Sequence, residues 1–276
     1  MNRVTLQNEL RKIKLVAYDL DGVIYFGNKL LPNVVETIDE LKDQNKEIVF
    51  ITNNSAKSRV EICAKLESLG LSVNVHQIYS SSFLTGIFLK NLVHNKPVNV
   101  FVLGTNGLKK ELANCQIGVV EMDEHPQFLI VGYDPDFNYS SICNGLTILQ
   151  QGVKFIACNK EARYPVSSDK WLPGCGAMVA AIEISSGKEA DFIIGKPNTL
   201  MLELIVKERN LKPEQILVVG DTPESDILMA NNFGSYSALF IPGAEFGDSL
   251  PNLKSGFRPT VVIKDHRELI TLLKKN

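Results

Sequence analysis

Short apolar runs rich in Val, Ile and Phe recur along the chain, each followed by a longer stretch whose apolar residues return at helical spacing. Continuous apolar runs mark strands buried on both faces, and the helical stretches between them mark crossovers. The pattern therefore dictates an α/β fold with a parallel sheet. Residues 15–18 form the first run. A helix over 33–41 follows, with Val34, Val35, Ile38 and Leu41 on one face, and then a strand at 48–51. A helix over 58–69 stops at Gly70, a residue suited to the left-handed turn after a helix, and 77–80 reads as a third strand. A second series begins near Ser82, with strands at 98–103, 128–131 and 154–157 and helices over 107–112, 140–150 and 177–185. Strands resume at 192–194, 216–219, 238–241 and 261–263. The pattern leaves open whether these units form one sheet or two domains. No internal repeat or low-complexity segment interrupts them.

At 276 residues and 45% hydrophobic content, the chain can bury one large core or two medium ones. Lys and Arg total 29 against 31 Asp and Glu, a formal net charge of -2 with no long run of either sign. That balance argues against nucleic acid or an anionic membrane as the main partner. An anionic substrate would need a small local cluster of cations. The five cysteines (Cys63, Cys115, Cys143, Cys158, Cys175) form no C-x-x-C pair and read as free thiols in a reducing compartment. The four histidines show no zinc spacing and read as structural or surface residues. Residues 1–14 lack the apolar segment of a signal peptide, and no run approaches the roughly 18 apolar residues of a membrane span. The expectation is a soluble, cytoplasmic protein.

Four strand ends carry chemistry. Residues 15–18 run into Asp19-Leu20-Asp21-Gly22, and ligands of parallel sheets lie beyond the carboxyl ends of the strands. Two such carboxylates can divide their work, one attacking or holding a metal and the other handling protons. Alone, the same four residues also fit a calcium-loop fragment or a turn. The strand at 48–51 ends in Thr52-Asn53-Asn54-Ser55, which fits either an oxyanion cradle or a turn with a helix cap. The strand at 192–194 ends in Gly195-Lys196-Pro197-Asn198 and offers a cation, without a Walker A pattern around it. The strand at 216–219 ends in Gly220-Asp221-Thr222-Pro223-Glu224-Ser225-Asp226, whose three acids fit a magnesium site or an acid-decorated helix start. Chemical residues thus fall in the first and last thirds, and a middle insertion splitting a core fits that distribution.

These four segments, in this order, resemble the motifs of the haloacid dehalogenase (HAD) superfamily of phosphohydrolases. Tyr18-Asp19-Leu20-Asp21-Gly22-Val23, Phe50-Ile51-Thr52-Asn53-Asn54-Ser55, Gly195-Lys196-Pro197, Val219-Gly220-Asp221 and Leu172-Pro173-Gly174-Cys175-Gly176-Ala177 are similar to the subfamily IIA branch of NagD and the para-nitrophenylphosphatases. The resemblance implies a Rossmann-like core of residues 1–81 and 191–276, split by a large α/β cap over 82–190. It implies a magnesium-dependent phosphatase for small phosphorylated metabolites of the sugar phosphate, phosphoglycolate or pyridoxal phosphate type. Asp19 would be the nucleophile forming an aspartyl-phosphate, and Asp21 the general acid and then base. Thr52, the amide of Asn53 and Lys196 would hold the phosphoryl group. Magnesium would sit on the Asp19 carboxylate, the Asp21 backbone carbonyl and Asp221, with Asp226 behind them. Asn159, Arg163 and Tyr164, in a loop over 159–171, would read the leaving group, Arg163 by pairing with a carboxylate or second phosphate. Gly104-Thr105-Asn106-Gly107 reads as a turn of the cap, which also offers a homodimer surface. The competing readings are a non-catalytic phospholigand sensor on the same fold, and a phosphotransferase or phosphomutase sharing the aspartyl-phosphate step.

Overall fold

The structure is a computed structural model and describes residues 3–167, 170–242 and 253–274. The first third of the chain forms α1 (Arg3–Leu10), β1 (Leu15–Asp19), β2 (Tyr25–Phe26), β3 (Lys29–Leu30), α2 (Val34–Asp43), β4 (Glu47–Thr52), α3 (Arg59–Ser68), β5 (Ile78–Ser80) and α4 (Ser81–Leu92). The middle forms β6 (Asn99–Leu103), α5 (Asn106–Asn114), β7 (Gly118–Val119), β8 (Phe128–Val131), α6 (Tyr139–Gln150), β9 (Lys154–Ala157), β10 (Arg163–Ser167), β11 (Lys170–Pro173), α7 (Cys175–Ser186) and β12 (Phe192–Ile193). The last third forms α8 (Leu200–Arg209), β13 (Ile216–Gly220), α9 (Leu228–Phe233), β14 (Tyr236–Phe240), β15 (Val261–Ile263) and α10 (Glu268–Leu273). Residues Ser168 and Asp169 of the expected 159–171 loop lie outside the described residues.

Among the described residues the strands assemble into two larger sheets. The first has the order β15-β14-β13-β1-β4-β5 and the second β12-β9-β8-β6-β7, so the pattern resolves into two sheets rather than one. β1 and β13 are buried along their whole length, and β1 pairs in parallel with β13 (Tyr18↔Val219) and β4 (Asp19↔Ile51). Each fully buried Val, Leu or Ile there contributes about 1.5–3 kcal/mol of hydrophobic stabilisation. α2 shows why a helix follows β1: Val34, Ile38 and Leu41 make the one apolar stripe that a sheet face needs to cover it.

In the first sheet the chain moves outward from β1 to β4 and β5, then returns to the other side of β1 with β13. The order reverses between β1 and β13, which places a crevice beyond their carboxyl ends. The second sheet reverses in the same way between β6 and β8. The chain divides into two compact units, one of Met1–Ile51, Leu66–Ile78 and Lys196–Asn276, the other of Thr52–Lys65 and Tyr79–Gly195.

One expected strand lies elsewhere. The run at 192–194 was grouped with the strands that carry the chemistry, yet β12 pairs in parallel with β9 (Phe192↔Ile156, Ile193↔Ala157) and closes the second sheet. A two-residue strand is too short for its own apolar pattern to specify a sheet, so its neighbours decide. The segment over 159–171 contains an antiparallel hairpin of β10 and β11 in place of an open loop. All five cysteines are free, and no helix among the described residues is long and apolar enough to cross a membrane.

Candidate active site

β1 carries Asp19 to the crevice between β1 and β13, and β13 carries Asp221 one residue past its own end. Lys196 reaches the same place from the segment after β12. Its Nζ lies 2.6 Å from Asp19 Oδ1 and 2.6 Å from Asp226 Oδ1, with all three residues buried. Asp226 sits in a π-type turn over Pro223–Ile227, where its second oxygen accepts the Thr222 N–H at 3.2 Å. Thr222 Oγ1 donates to Asp221 Oδ1 at 3.0 Å. Carboxylate oxygens of Asp19, Asp221 and Asp226 all lie within 4.8 Å of one another. Glu224, the remaining acid of that segment, is exposed and stands outside the cluster.

Two glycines make room for these acids. Gly22 has φ 84°, and a Cβ there would stand 2.0 Å from Asp221 Oδ2. A Cβ on Gly220 would stand 2.2 Å from the Asp226 Cβ. Neither position admits a side chain without moving a carboxylate.

The cluster is short of positive charge. Burial, more than anything else, pushes the Asp19 carboxyl well above its ordinary range; Lys196 pulls it back, while Asp226 and Asp221 push it further up. Burial and then the Asp226 carboxylate push Asp221 up to about 7. Burial also works against the Lys196 charge, but Asp19 and Asp226 outweigh it and hold the ammonium above its usual value. Three carboxylates facing one ammonium must take up either a proton or a cation near neutral pH. Hard oxygen donors at this spacing suit a divalent ion that accepts a few carboxylates and completes its shell with water and phosphate oxygens.

Asp21 differs from Asp19 in every respect that matters for chemistry. It is exposed, it makes no ion pair with Lys196, and its Oδ2 accepts the Tyr25 hydroxyl at 3.0 Å. The β2–β3 ribbon holds this pair together, since Gly22 donates its N–H to the Tyr25 carbonyl at 2.8 Å. Burial and then the Asp21 carboxylate push the Tyr25 phenol up, so it stays a donor. Sequence reasoning missed Tyr25, because an aromatic residue closing the run Val23-Ile24-Tyr25 looks like core.

Thr52 and Asn53 belong to the second unit, as do Asn159, Arg163 and Tyr164. Thr52 ends β4, one residue beyond the register partner of Asp19, and is buried, as is Asn53. The turn after them is closed by Asn54, whose Oδ1 accepts the N–H groups of Ala56 and Lys57 at 3.0 and 2.9 Å. Residues beyond the ends of β6 and β8 hold this turn. Thr105 Oγ1 donates to the Ala56 carbonyl, and the Tyr133 N–H donates to Ser55 Oγ at 2.9 Å. Gly107, expected in a turn, lies in the first turn of α5, and a Cβ there would meet the Ala56 carbonyl, so this glycine admits the chain's own backbone. A cleft of ≈ 630 Å³ lies beside it, walled in part by Lys57, Glu61, Asp134 and Asp136.

Asn159 is buried and its side chain is engaged within the unit, with Nδ2 donating to the Asn53 carbonyl at 2.7 Å and Oδ1 accepting the Glu161 N–H at 3.0 Å. Arg163 is exposed, its guanidinium 4.9 Å from the ring centre of Trp171. Tyr164 pairs its hydroxyl with that of Tyr133 at 3.0 Å.

An open α/β sheet with a buried aspartate, a lysine and further acids at its reversal point defines a hydrolase built for phosphoryl chemistry. Residues 16–118 match the family described as haloacid dehalogenase-like hydrolase, and residues 193–269 match a HAD-hydrolase-like family. The chloroplastic phosphoglycolate phosphatase 1A of Arabidopsis thaliana is 33% identical over 267 residues, covering 90% of this chain and 74% of that protein. The 4-nitrophenylphosphatase of Thermotoga maritima superposes with a TM-score of 0.89 at 30% identity, covering 96% of this chain and 99% of that one. NagD from E. coli K-12 gives 0.82 at 26% identity, covering 93% and 98%. The chain belongs to the haloacid dehalogenase-like hydrolases, in their NagD-like branch, and is a phosphoric monoester hydrolase.

Proposed function

We propose that this protein is a magnesium-dependent phosphatase that hydrolyses a small phosphorylated metabolite through an aspartyl-phosphate on Asp19. The observation that carries the reading is the Lys196 ammonium held 2.6 Å from both buried Asp19 and buried Asp226, with the half-buried Asp221 completing a triad of acids. An Asp19 oxygen attacks phosphorus as the bond from phosphorus to the leaving oxygen breaks, and Asp21 gives that oxygen its proton. Water then attacks the acyl phosphate while Asp21 takes a proton from it, releasing inorganic phosphate and restoring Asp19. The exposure of Asp21 supports this division, because a proton-transfer group must meet both leaving alcohol and water. Lys196, the Thr52 hydroxyl and the Asn53 amide neutralise and hold the transferring group. The Asp19 carboxylate, the Asp21 backbone carbonyl and Asp221 would hold magnesium, with Asp226 behind them; when bound, the ion supplies positive charge to the phosphoryl oxygens.

In this reading residues 82–190 are the specificity cap, and Arg163 and Tyr164 read the leaving group. Arg163 is exposed, with a stacking partner and no ion pair among the described residues, which leaves its guanidinium for a second anionic group. A phosphorylated hydroxy acid such as phosphoglycolate is therefore the first substrate to try, ahead of sugar phosphates and pyridoxal phosphate. Five free thiols support a reducing, cytoplasmic setting, and the cap offers a homodimer surface.

The test is release of p-nitrophenol from p-nitrophenyl phosphate with and without magnesium, in the wild type and in Asp19→Asn, followed by a screen of phosphorylated metabolites. Turnover that persists in Asp19→Asn, or in excess chelator, rules the mechanism out. An added alcohol that captures the phosphoryl group in place of water points to a phosphotransferase.

A further inference from the structure

The Asn53 carbonyl accepts two side-chain hydrogen bonds, from Ser81 Oγ at 2.8 Å and from Asn159 Nδ2 at 2.7 Å. Both donors are buried, and they come from different elements: Ser81 opens α4, and Asn159 stands two residues past β9. One partner would satisfy a buried carbonyl. The second is not explained by the helix, because Ser80 already caps α4 by accepting the Phe83 N–H at 3.3 Å. Nor is the Asn159 amide free to turn over. Its Oδ1 is fixed by the Glu161 N–H at 3.0 Å, which assigns Nδ2 to the Asn53 side. Gly195 closes on the same spot, since a Cβ there would stand 2.4 Å from Asn53 Oδ1 and 2.8 Å from the Asn159 Cβ.

A peptide group is planar, so fixing the Asn53 carbonyl also fixes the Asn54 N–H on the other side of the same bond. That N–H donates to Thr52 Oγ1 at 3.1 Å. A hydroxyl has one proton and two lone pairs. With one lone pair accepting from Asn54, the Thr52 proton remains available to donate elsewhere.

We infer that Ser81 and Asn159 are positioning residues, which lock the peptide between Asn53 and Asn54 so that the Thr52 hydroxyl presents its proton to the substrate's phosphoryl group. The inference rests on the proposed role of Thr52 as a phosphoryl donor. Asn159 thereby acts through the chain rather than on the leaving group, and Ser81 gains a function that nothing in its own sequence context announces.

The experiment compares kcat and KM for p-nitrophenyl phosphate with magnesium in Thr52→Val, Asn159→Leu, Ser81→Ala, Ser81→Thr and the double variant Thr52→Val/Asn159→Leu. Asn159→Leu and Ser81→Ala should each lower kcat by about tenfold, the scale of one lost hydrogen bond at a reacting group. The double variant should be no slower than Thr52→Val alone, because residues acting through one hydroxyl do not add. Ser81→Thr, which keeps the donor, should retain the wild-type rate. Losses that add in the double variant, or wild-type rates in Ser81→Ala, overturn the inference, and Ser81→Ala decides it if Asn159→Leu does not fold. A wild-type rate in Thr52→Val overturns it together with the role given to Thr52, whereas the Asp19 mechanism is tested separately, by Asp19→Asn and by chelator.

Discussion

The two parallel sheets reverse their strand order in the same way, between β1 and β13 in one and between β6 and β8 in the other, yet the two carboxyl edges are put to different use. At the first edge the chain gathers Asp19, Asp221, Asp226 and Lys196, and leaves their charges unbalanced. At the second edge it lays its own turn, Ser55 to Lys57, and ties it with neutral hydrogen bonds from Thr105 and Tyr133. The first edge is kept frustrated so that a reagent can complete it. The second is already complete and works as scaffold. Substitutions should therefore cost chemistry at the first edge and stability in the second unit.

Asp19→Asn gives the largest effect. Losing a nucleophile should lower kcat on p-nitrophenyl phosphate by on the order of 10⁴-fold or more. The same change removes one of three mutually repelling acids, so thermal unfolding of the metal-free protein should show an unchanged or raised Tm. A lower Tm would mean that the cluster holds the fold together, and the contrast between the edges would be lost.

Glu111→Ala is the converse. Glu111 is buried on α5, where it accepts the Arg59 N–H at 2.6 Å and stands 3.4 Å from the Arg59 guanidinium, which lies 3.5 Å above the Phe83 ring centre. Removing one member of a buried ion pair strands the other, at a cost of about 3 kcal/mol. Denaturant unfolding should report that loss, while kcat per folded molecule stays within a few-fold of wild type.

These two positions also mark how far the sequence could be read. Asp19 was legible because β1 and β13 are fully apolar runs, and an acid that ends such a run has nowhere to go but the rim. The structure brings Lys196, Asp221 and Asp226 to Asp19; Lys196 follows the short β12, whereas Asp221 follows β13 directly and was legible for the same reason as Asp19. Glu111 was not, since a glutamate in the stretch Lys109-Lys110-Glu111 looks solvated, and its burial depends on Arg59, 52 residues away in sequence. The hydrogen bond of Tyr25 to Asp21 and those of Ser81 and Asn159 to the Asn53 carbonyl were hidden likewise, since long-range or turn-dependent hydrogen bonds leave no periodic trace. β12 was misplaced because two residues carry no register of their own.

Asp221→Asn should have a smaller effect than loss of the nucleophile, seen as at least about a tenfold rise in the magnesium concentration for half-maximal activity, because one hard donor is replaced by a neutral one. It also carries a pH signature. The Asp221 carboxyl is raised to about 7 in the folded protein from an ordinary value near 4. Its folded form therefore holds a proton that the unfolded chain has released, and that contribution to stability is lost as pH rises through 7. Metal-free wild-type protein should lose Tm between pH 6 and pH 8 more steeply than Asp221→Asn, and magnesium should restore it. Equal slopes in the two proteins would place the charge imbalance elsewhere.

The smallest effect comes from an acid in the second unit that is already paired. Asp191 meets Lys154 at 2.9 Å and Lys188 at 2.9 Å, and accepts the Phe155 N–H at 2.7 Å. Burial works against its charge, but Lys188, the Phe155 N–H and Lys154 outweigh it and lower its carboxyl to about 2. A depressed acid stabilises the fold above its unfolded value, and that stability drains away as pH falls from about 4 towards 2. Both lysines are solvent-exposed and screened, so the contribution is about 1 kcal/mol or less. Asp191→Asn should lower Tm slightly at pH 6, flatten the loss between pH 4 and pH 2, and leave the magnesium response untouched. A changed magnesium response in that variant would show that the paired acid of the second unit bears on the unbalanced charges of the first, and the division of labour between the two edges would have to be given up.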